Sequence, residues 1–206
     1  MKHLLAIGLA IGILIVSISC KIVDAIVDSS GPLPRLPNWG YLTADMNKAD
    51  WSLTYKNGYQ VTHGIVSYSD EPQGVFFALK SILYTPDGAE HQELLFQKIP
   101  FAAATARHRV TSCFPFTDCQ VNEDVQAVLH TCNDDVGLNS YYIVDSEDNY
   151  IQIDRYNKKT QEVKGTFQLT FAVRKNRSPG DPLPDTLRFR NGRFHTKIIR
   201  YKARGE

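Results

Sequence analysis

The residue with the most specific chemistry in its surroundings is Cys20. It follows Ser17-Ile18-Ser19, and before those lies an uncharged apolar run, Leu4 to Val16, led in by Lys2 and His3. The run is too short to span a bilayer and has the form of the apolar region of an export signal. A small residue directly before a cysteine, after such a core, is the pattern at which a signal peptidase cuts so that the cysteine becomes the first residue and is acylated. Several acyl chains on one residue hold a protein on a bilayer, since each buried CH₂ contributes about 0.8 kcal/mol. The expected organisation is therefore a signal peptide over 1–19, an acylated Cys20 with a Pro-rich tether over 20–39, and a folded domain over 40–206.

Three further thiols remain, Cys113, Cys119 and Cys132. An exported compartment permits a disulfide. Three thiols allow one bridge, expected between Cys119 and Cys132, with Cys113–Cys132 as the alternative, and a loop of this length contributes about 3 kcal/mol. The spacings match no zinc motif. Asp145, Glu147 and Asp148 lie within five consecutive residues, with Asp134-Asp135 shortly before them. Oxygen ligands in a loop are calcium chemistry, which makes these three the metal candidates. Without the full EF-hand spacing the favoured reading is a solvated hairpin turn, with calcium the weaker one. From Arg174 to Arg204, ten basic residues face only Asp181 and Asp185. Such an excess suits anionic headgroups or an acidic glycan, or a solubilising face that blocks edge pairing, with Arg188 and Arg190 on one outward face. Trp39, Tyr41, Trp51, Tyr55, Tyr59 and Tyr68 offer either sugar stacking or core packing.

Signatures of established catalytic machinery are missing: no G-x-S-x-G, H-E-x-x-H, Walker loop or Gly-rich dinucleotide turn occurs. His63, His91, His108, His130 and His195 have no sequence neighbour that stands out as a nucleophile. The reading is a non-enzyme without a cofactor. Loss of Lys2 with the leader leaves 22 basic and 22 acidic side chains, and that balance argues against a nucleic-acid partner.

The elements that must position these residues are strands. Phe167, Leu169, Phe171 and Val173 fall at every second position, as do Ile151 and Ile153, then Leu187 and Phe189, then Phe194, Thr196 and Ile198. A period of two puts each set on one face of a strand. Asn157-Lys158-Lys159-Thr160 has the length of a hairpin loop. Asn191-Gly192 between alternating runs predicts a second hairpin, because a type I′ turn needs φ > 0 at both central residues. Upstream, Tyr41 to Met46 is a strand and Asn47 to Asp50 a turn. Trp51 opens the next strand, and Asn57-Gly58 turns it back. Pro86-Asp87-Gly88 is a further turn, and Glu93 to Ile99 and Val125 to Thr131 are strands. Strands at intervals of roughly ten residues with no long helical period predict an antiparallel β-sandwich or a partly open barrel.

Four stretches carry a resemblance. Gly40 to Trp51 resembles an opening "T/S-A-x-[IVM]-N-G-x-x-W" segment, with Lys48 at the glycine position. Tyr150 to Asn157, then Val163-Lys164-Gly165-Thr166-Phe167 and Arg190-Asn191-Gly192-Arg193-Phe194, resemble "N-Y-I-x-I-x-x-Y-D", "V-x-G-T-F" and "x-N-G-x-F". In this order they are similar to small outer-membrane lipoproteins of unknown function in Bacteroidota. The resemblance implies a β-sandwich and a lipid anchor, and transfers no catalytic residue. The expectation is a lipid-anchored outer-membrane protein that binds a glycan or a partner protein without catalysis. The alternative is a hydrolase of envelope polymers, which a carboxylate pair or a His–nucleophile contact in a concave site would favour.

Overall fold

In a computed structural model of the chain, the described residues are 39–53, 58–66, 76–101, 106–112, 124–173 and 177–200. The expected acylation site Cys20, the expected signal segment and all of the expected tether but Trp39, and Cys113, Cys119, Tyr55, Asn57 and Tyr68 lie outside them.

Alternation becomes strand wherever the sequence shows it. The strands are β1 (Tyr41–Met46), β2 (Ala49–Asp50), β3 (Tyr59–Val66), β4 (Phe76–Tyr84), β5 (Glu90–Pro100), β6 (Ala106–Thr111), β7 (Val125–Asn133), β8 (Val136–Ile143), β9 (Tyr150–Asn157), β10 (Glu162–Val173) and β11 (Thr186–Arg200). Together they form one mixed all-β sheet. Its pairings return on themselves through β11, β3, β4, β5, β7, β8, β10 and back to β11. Where β8 ends, β6 and β9 bridge β7 to β10 instead. The architecture is thus a barrel-like closure of the expected all-β class. The expectation of purely antiparallel pairing is corrected at two places: β3 runs parallel to the end of β11, and β6 parallel to the start of β7.

The inward positions are the ones the period of two selects. Leu42, Ala44 and Met46 of β1, Phe167, Leu169 and Phe171 of β10, and Leu187, Phe189 and Phe194 of β11 join one buried core with Leu94, Phe96 and Tyr141. Burying each such side chain contributes about 1.5–3 kcal/mol. Phe96 meets Phe167 edge-on at 5.4 Å, and Phe171 meets Phe189 at 5.8 Å, the geometry that sets ring edges against ring faces.

Two local expectations change. Trp51 does not open a strand; Trp51–Leu53 is a 3₁₀ turn. The indole there is fully buried against Phe189 and donates from Nε1 to Gln92 Oε1 at 2.9 Å, an anchorage that an extended continuation would forfeit. Asn191-Gly192 is not a hairpin but a bulge inside one long strand. β10 and β1 pair with β11 on both sides of it, so the chain has no edge to fold back on. Asn191 takes the left-handed conformation (φ 54) and donates to Asp45 Oδ2 at 2.7 Å. A Cβ at Gly192 would sit 2.5 Å from Phe167 O. The extra residue changes the parity of β11, so odd-numbered Phe189 and even-numbered Phe194 face the same interior.

A candidate ligand cleft at one end of the barrel

Three connections meet where β4, β7 and β10 end. The β4–β5 turn closes through Thr85, whose N donates to Ala89 O at 2.9 Å, with Gly88 at φ 98. The β7–β8 hairpin turns at Asp134-Asp135, Asp134 holding φ 59. The third connection, 177–185, has no regular structure and is braced by one residue. Asp181 is 4% exposed. Its Oδ2 accepts from Thr131 Oγ1 (2.9 Å), Asn139 Nδ2 (2.7 Å) and Tyr141 OH (3.0 Å), and its Oδ1 from Leu183 N (2.9 Å). Arg177 ties the same loop down from outside, donating to Asp185 at 2.8 Å and to the carbonyls of Asp181 and Leu183. Four donors replace the water that a buried carboxylate gives up, which is what makes its burial tolerable. Burial, then the adjacent Asp181 charge, pushes the Tyr141 phenol well above its ordinary range.

Between these connections lies a cleft of about 370 Å³. That is within the roughly 300–1,000 Å³ range of small-molecule sites. Asp87, Glu90 and Asp134 line it along with Asp181, and among the described residues neither lysine nor arginine does. Tyr84 donates to Glu90 Oε1 at 3.0 Å and stacks on Tyr59, centroids 4.7 Å apart. Burial, and next the Glu90 charge, hold the Tyr84 phenol above its ordinary range as well. An acidic, preformed concavity of this kind favours a positively charged occupant.

Cys132 stands in the cleft wall, buried in β7 opposite Gly137. Its expected partners, Cys119 or alternatively Cys113, lie outside the described residues.

The metal candidates do not converge. Glu147 is turned to Arg190 (3.4 Å), Arg188 (3.5 Å) and Thr170 Oγ1 (2.9 Å), and Asp148 takes Arg107 with both oxygens at 2.7 Å. Asp145 accepts from Ser112 N at 3.4 Å. Guanidinium groups engage Glu147 and Asp148, and no group of three or more metal-binding side chains occurs among the described residues. The calcium candidates Asp145, Glu147 and Asp148 thus sit on a turn whose Glu147 and Asp148 are engaged by arginines. The same contacts account for Arg188 and Arg190, whose shared outward face is directed at Glu147.

The histidines part company. His63 and Lys80 face each other across β3 and β4, Glu93 pairs with His130 across β5 and β7, and His130 with Ser140 across β7 and β8. Lys80 Nζ is 2.8 Å from Glu93 Oε2, and His130 Nδ1 is 2.8 Å from Ser140 Oγ. This polar row crosses the outer face of the barrel yet is largely buried; His63 is 5% and Glu93 8% exposed. Burial, and then the Lys80 charge, lower His63 from 6.5 to about 4. Burial also lowers His130, against the opposing charge of Glu93. The depression beside His130 holds about 50 Å³. Of the aromatics, Trp51 is core, whereas Trp39 (41%) and Tyr41 (48%) are exposed.

Sequence reasoning missed the Asp181 hub. Its side-chain donors come from two strands roughly 40 to 50 positions earlier, and no local pattern announces them.

Comparison with protein-family models, with curated proteins and with solved structures returns no match to this chain.

Proposed function

We propose that the protein is a lipid-anchored envelope lipoprotein of the outer membrane and a non-catalytic binding module, held through Cys20, whose ligand site is the acidic cleft. The observation that supports binding is the preformed cavity of about 370 Å³ lined, among the described residues, by carboxylates without a lysine or arginine. The ligand class is a small polar molecule bearing an amine, of which an amino sugar is the form nearest to the glycan expectation. The sequence pattern before Cys20 and the resemblance of Gly40–Trp51 and the later motifs to Bacteroidota lipoproteins support the anchor.

Two measurements test this reading. Mass spectrometry of the membrane fraction is expected to find the chain beginning at an acylated Cys20; equal mass and partitioning in Cys20→Ser removes the anchor. Thermal shift with glucosamine is expected to exceed that with glucose, and Asp134→Lys to abolish the difference. Equal responses to the two sugars remove the amine site.

The His130–Ser140 contact is the kind of His–hydroxyl pair that the hydrolase alternative calls for, which keeps that reading second. The geometry around it is less favourable. Glu93 is held by Lys80, and a depression of about 50 Å³ has room for little more than a water or two. Labelling of Ser140 by a fluorophosphonate would reverse the order.

A further inference from the structure

The end of the barrel opposite the cleft has the contrary charge. β11 leaves the cleft loop at Thr186 and reaches Lys197 eleven positions later, about 30–35 Å along a strand. There Tyr41 lies opposite His195, His195 opposite Lys164, and Lys164 opposite Arg155, one row across four strands. All four side chains are exposed. Arg193 follows in the next row beside Thr43, and Lys158 and Lys159 extend the patch on the β9–β10 turn. Lys197 Nζ stands 5.7 Å from the centroid of the exposed Trp39 ring. Among the described residues none of Arg155, Lys158, Lys159, Lys164, Arg193 or Lys197 forms an ion pair. The acids nearby are few. Asp45 accepts from Asn191 and Asp154 from Gln152, and Glu162 lies opposite Lys197 without an ion pair to it.

We propose that this face docks flat on an anionic bilayer surface, with Trp39 and Tyr41 at headgroup depth and the basic row over the lipid phosphates. Uncompensated cations attract an anionic leaflet, and exposed Trp and Tyr favour the boundary between water and lipid. Position adds a second argument, which rests on the anchor proposed above. Cys20 precedes Trp39 by nineteen residues, a reach of at most about 65 Å. A chain tethered there brings its first described residues to the bilayer at high effective concentration, so weak docking is sufficient. Docked this way, the barrel points its cleft away from the membrane.

The test uses the full chain reconstituted in vesicles of phosphatidylcholine alone or mixed with phosphatidylglycerol, each with brominated acyl chains. The protein has two tryptophans, and Trp51 is fully buried, so quenching by lipid reports Trp39. Quenching is expected with phosphatidylglycerol, to vanish in Trp39→Phe, and to be lost at about 1 M salt, where the screening length is about 3 Å. The triple charge reversal R155E/K164E/R193E leaves Lys197 over Trp39. It is expected to lower the docked-to-undocked ratio at least a hundred-fold, from about five-fold for each charge removed. Equal quenching in both lipids, undiminished quenching in the triple variant, or flotation without quenching each overturns the docking. An acidic polysaccharide that protects Trp39 from iodide where phosphatidylglycerol does not would reassign the face. Flotation with phosphatidylcholine alone reports the anchor, so failure there with quenching on phosphatidylglycerol removes the anchor and leaves the docking.

Discussion

Replacing His63 by glutamine changes how stability depends on pH, and the size of the change can be worked out from where the ring sits. His63 is 5% exposed on β3 and faces Lys80 directly across β4. Burial and that neighbouring charge set its proton affinity near 4 against an ordinary 6.5. The unfolded chain therefore binds a proton that the folded chain refuses whenever the pH lies between these values. Stability then falls as the pH is lowered through 6.5, and the loss saturates below 4. Each decade corresponds to about 1.36 kcal/mol, so the full penalty is roughly 3 kcal/mol, and about 2 kcal/mol of it is present by pH 5. At pH 7.5 the contribution is close to zero. The assay is urea unfolding followed through the emission of buried Trp51, for wild type and His63→Gln, at pH 7.5 and pH 5. Other acids and histidines titrate over the same range in both proteins, so the informative quantity is the difference between the two drops. The wild type is expected to lose about 2 kcal/mol more than the variant. Equal drops would refute the argument, since they would mean that His63 accepts its proton inside the fold as readily as outside it.

Lys48→Gly is expected to stabilise the protein by about 0.5–1 kcal/mol, read as a higher melting temperature, because Asn47 and Lys48 form a two-residue turn with φ of 52 and 72 and only glycine enters that region without strain. Asp181→Ala is expected to cost about 3–5 kcal/mol by denaturant unfolding, since it strands the donors of Thr131, Asn139, Tyr141 and Leu183; a loss below about 1 kcal/mol would show that water replaces the carboxylate.

Strands were legible wherever one face had to be buried, because alternation is then a packing requirement written residue by residue. β1 runs over Tyr41–Met46 as the alternation requires. The failures share a cause. Asn191-Gly192 has the composition of a type I′ turn, and a bulge asks for the same conformations: one left-handed residue and one position with no room for a Cβ. Which of the two forms is decided by whether the flanking runs pair with each other or with third strands. β10 and β1 supply those third strands from far away in sequence. The parity change between Phe189 and Phe194 was visible, but both outcomes produce it. Trp51 is a similar case. Its residue type fits a strand, and the buried acceptor Gln92, 41 positions away, turns the backbone instead.

The chemistry-bearing residues were legible singly and their company was not. Glu147 looked like a calcium ligand because its nearest sequence neighbours are acidic, but its nearest neighbours in space are Arg188 and Arg190. Charge along the chain and charge around the barrel are different distributions. The basic run from Arg174 to Arg204 divides once β11 is laid across the molecule. Arg177, Arg188 and Arg190 pair with Asp185 and Glu147, whereas Arg193 and Lys197, further along β11, form no ion pair among the described residues. Lys164 and Arg155 join them only because β10 and β9 lie beside β11 in register. A total charge of +1 therefore conceals an acidic cleft at one end and a basic face at the other. That separation belongs to strand order, and a slip of one residue in the pairing of β10 with β11 would turn Lys164 inward and Phe167 outward. The same register that buries the core thus also assembles the charged face, so a change of register cannot move one without moving the other.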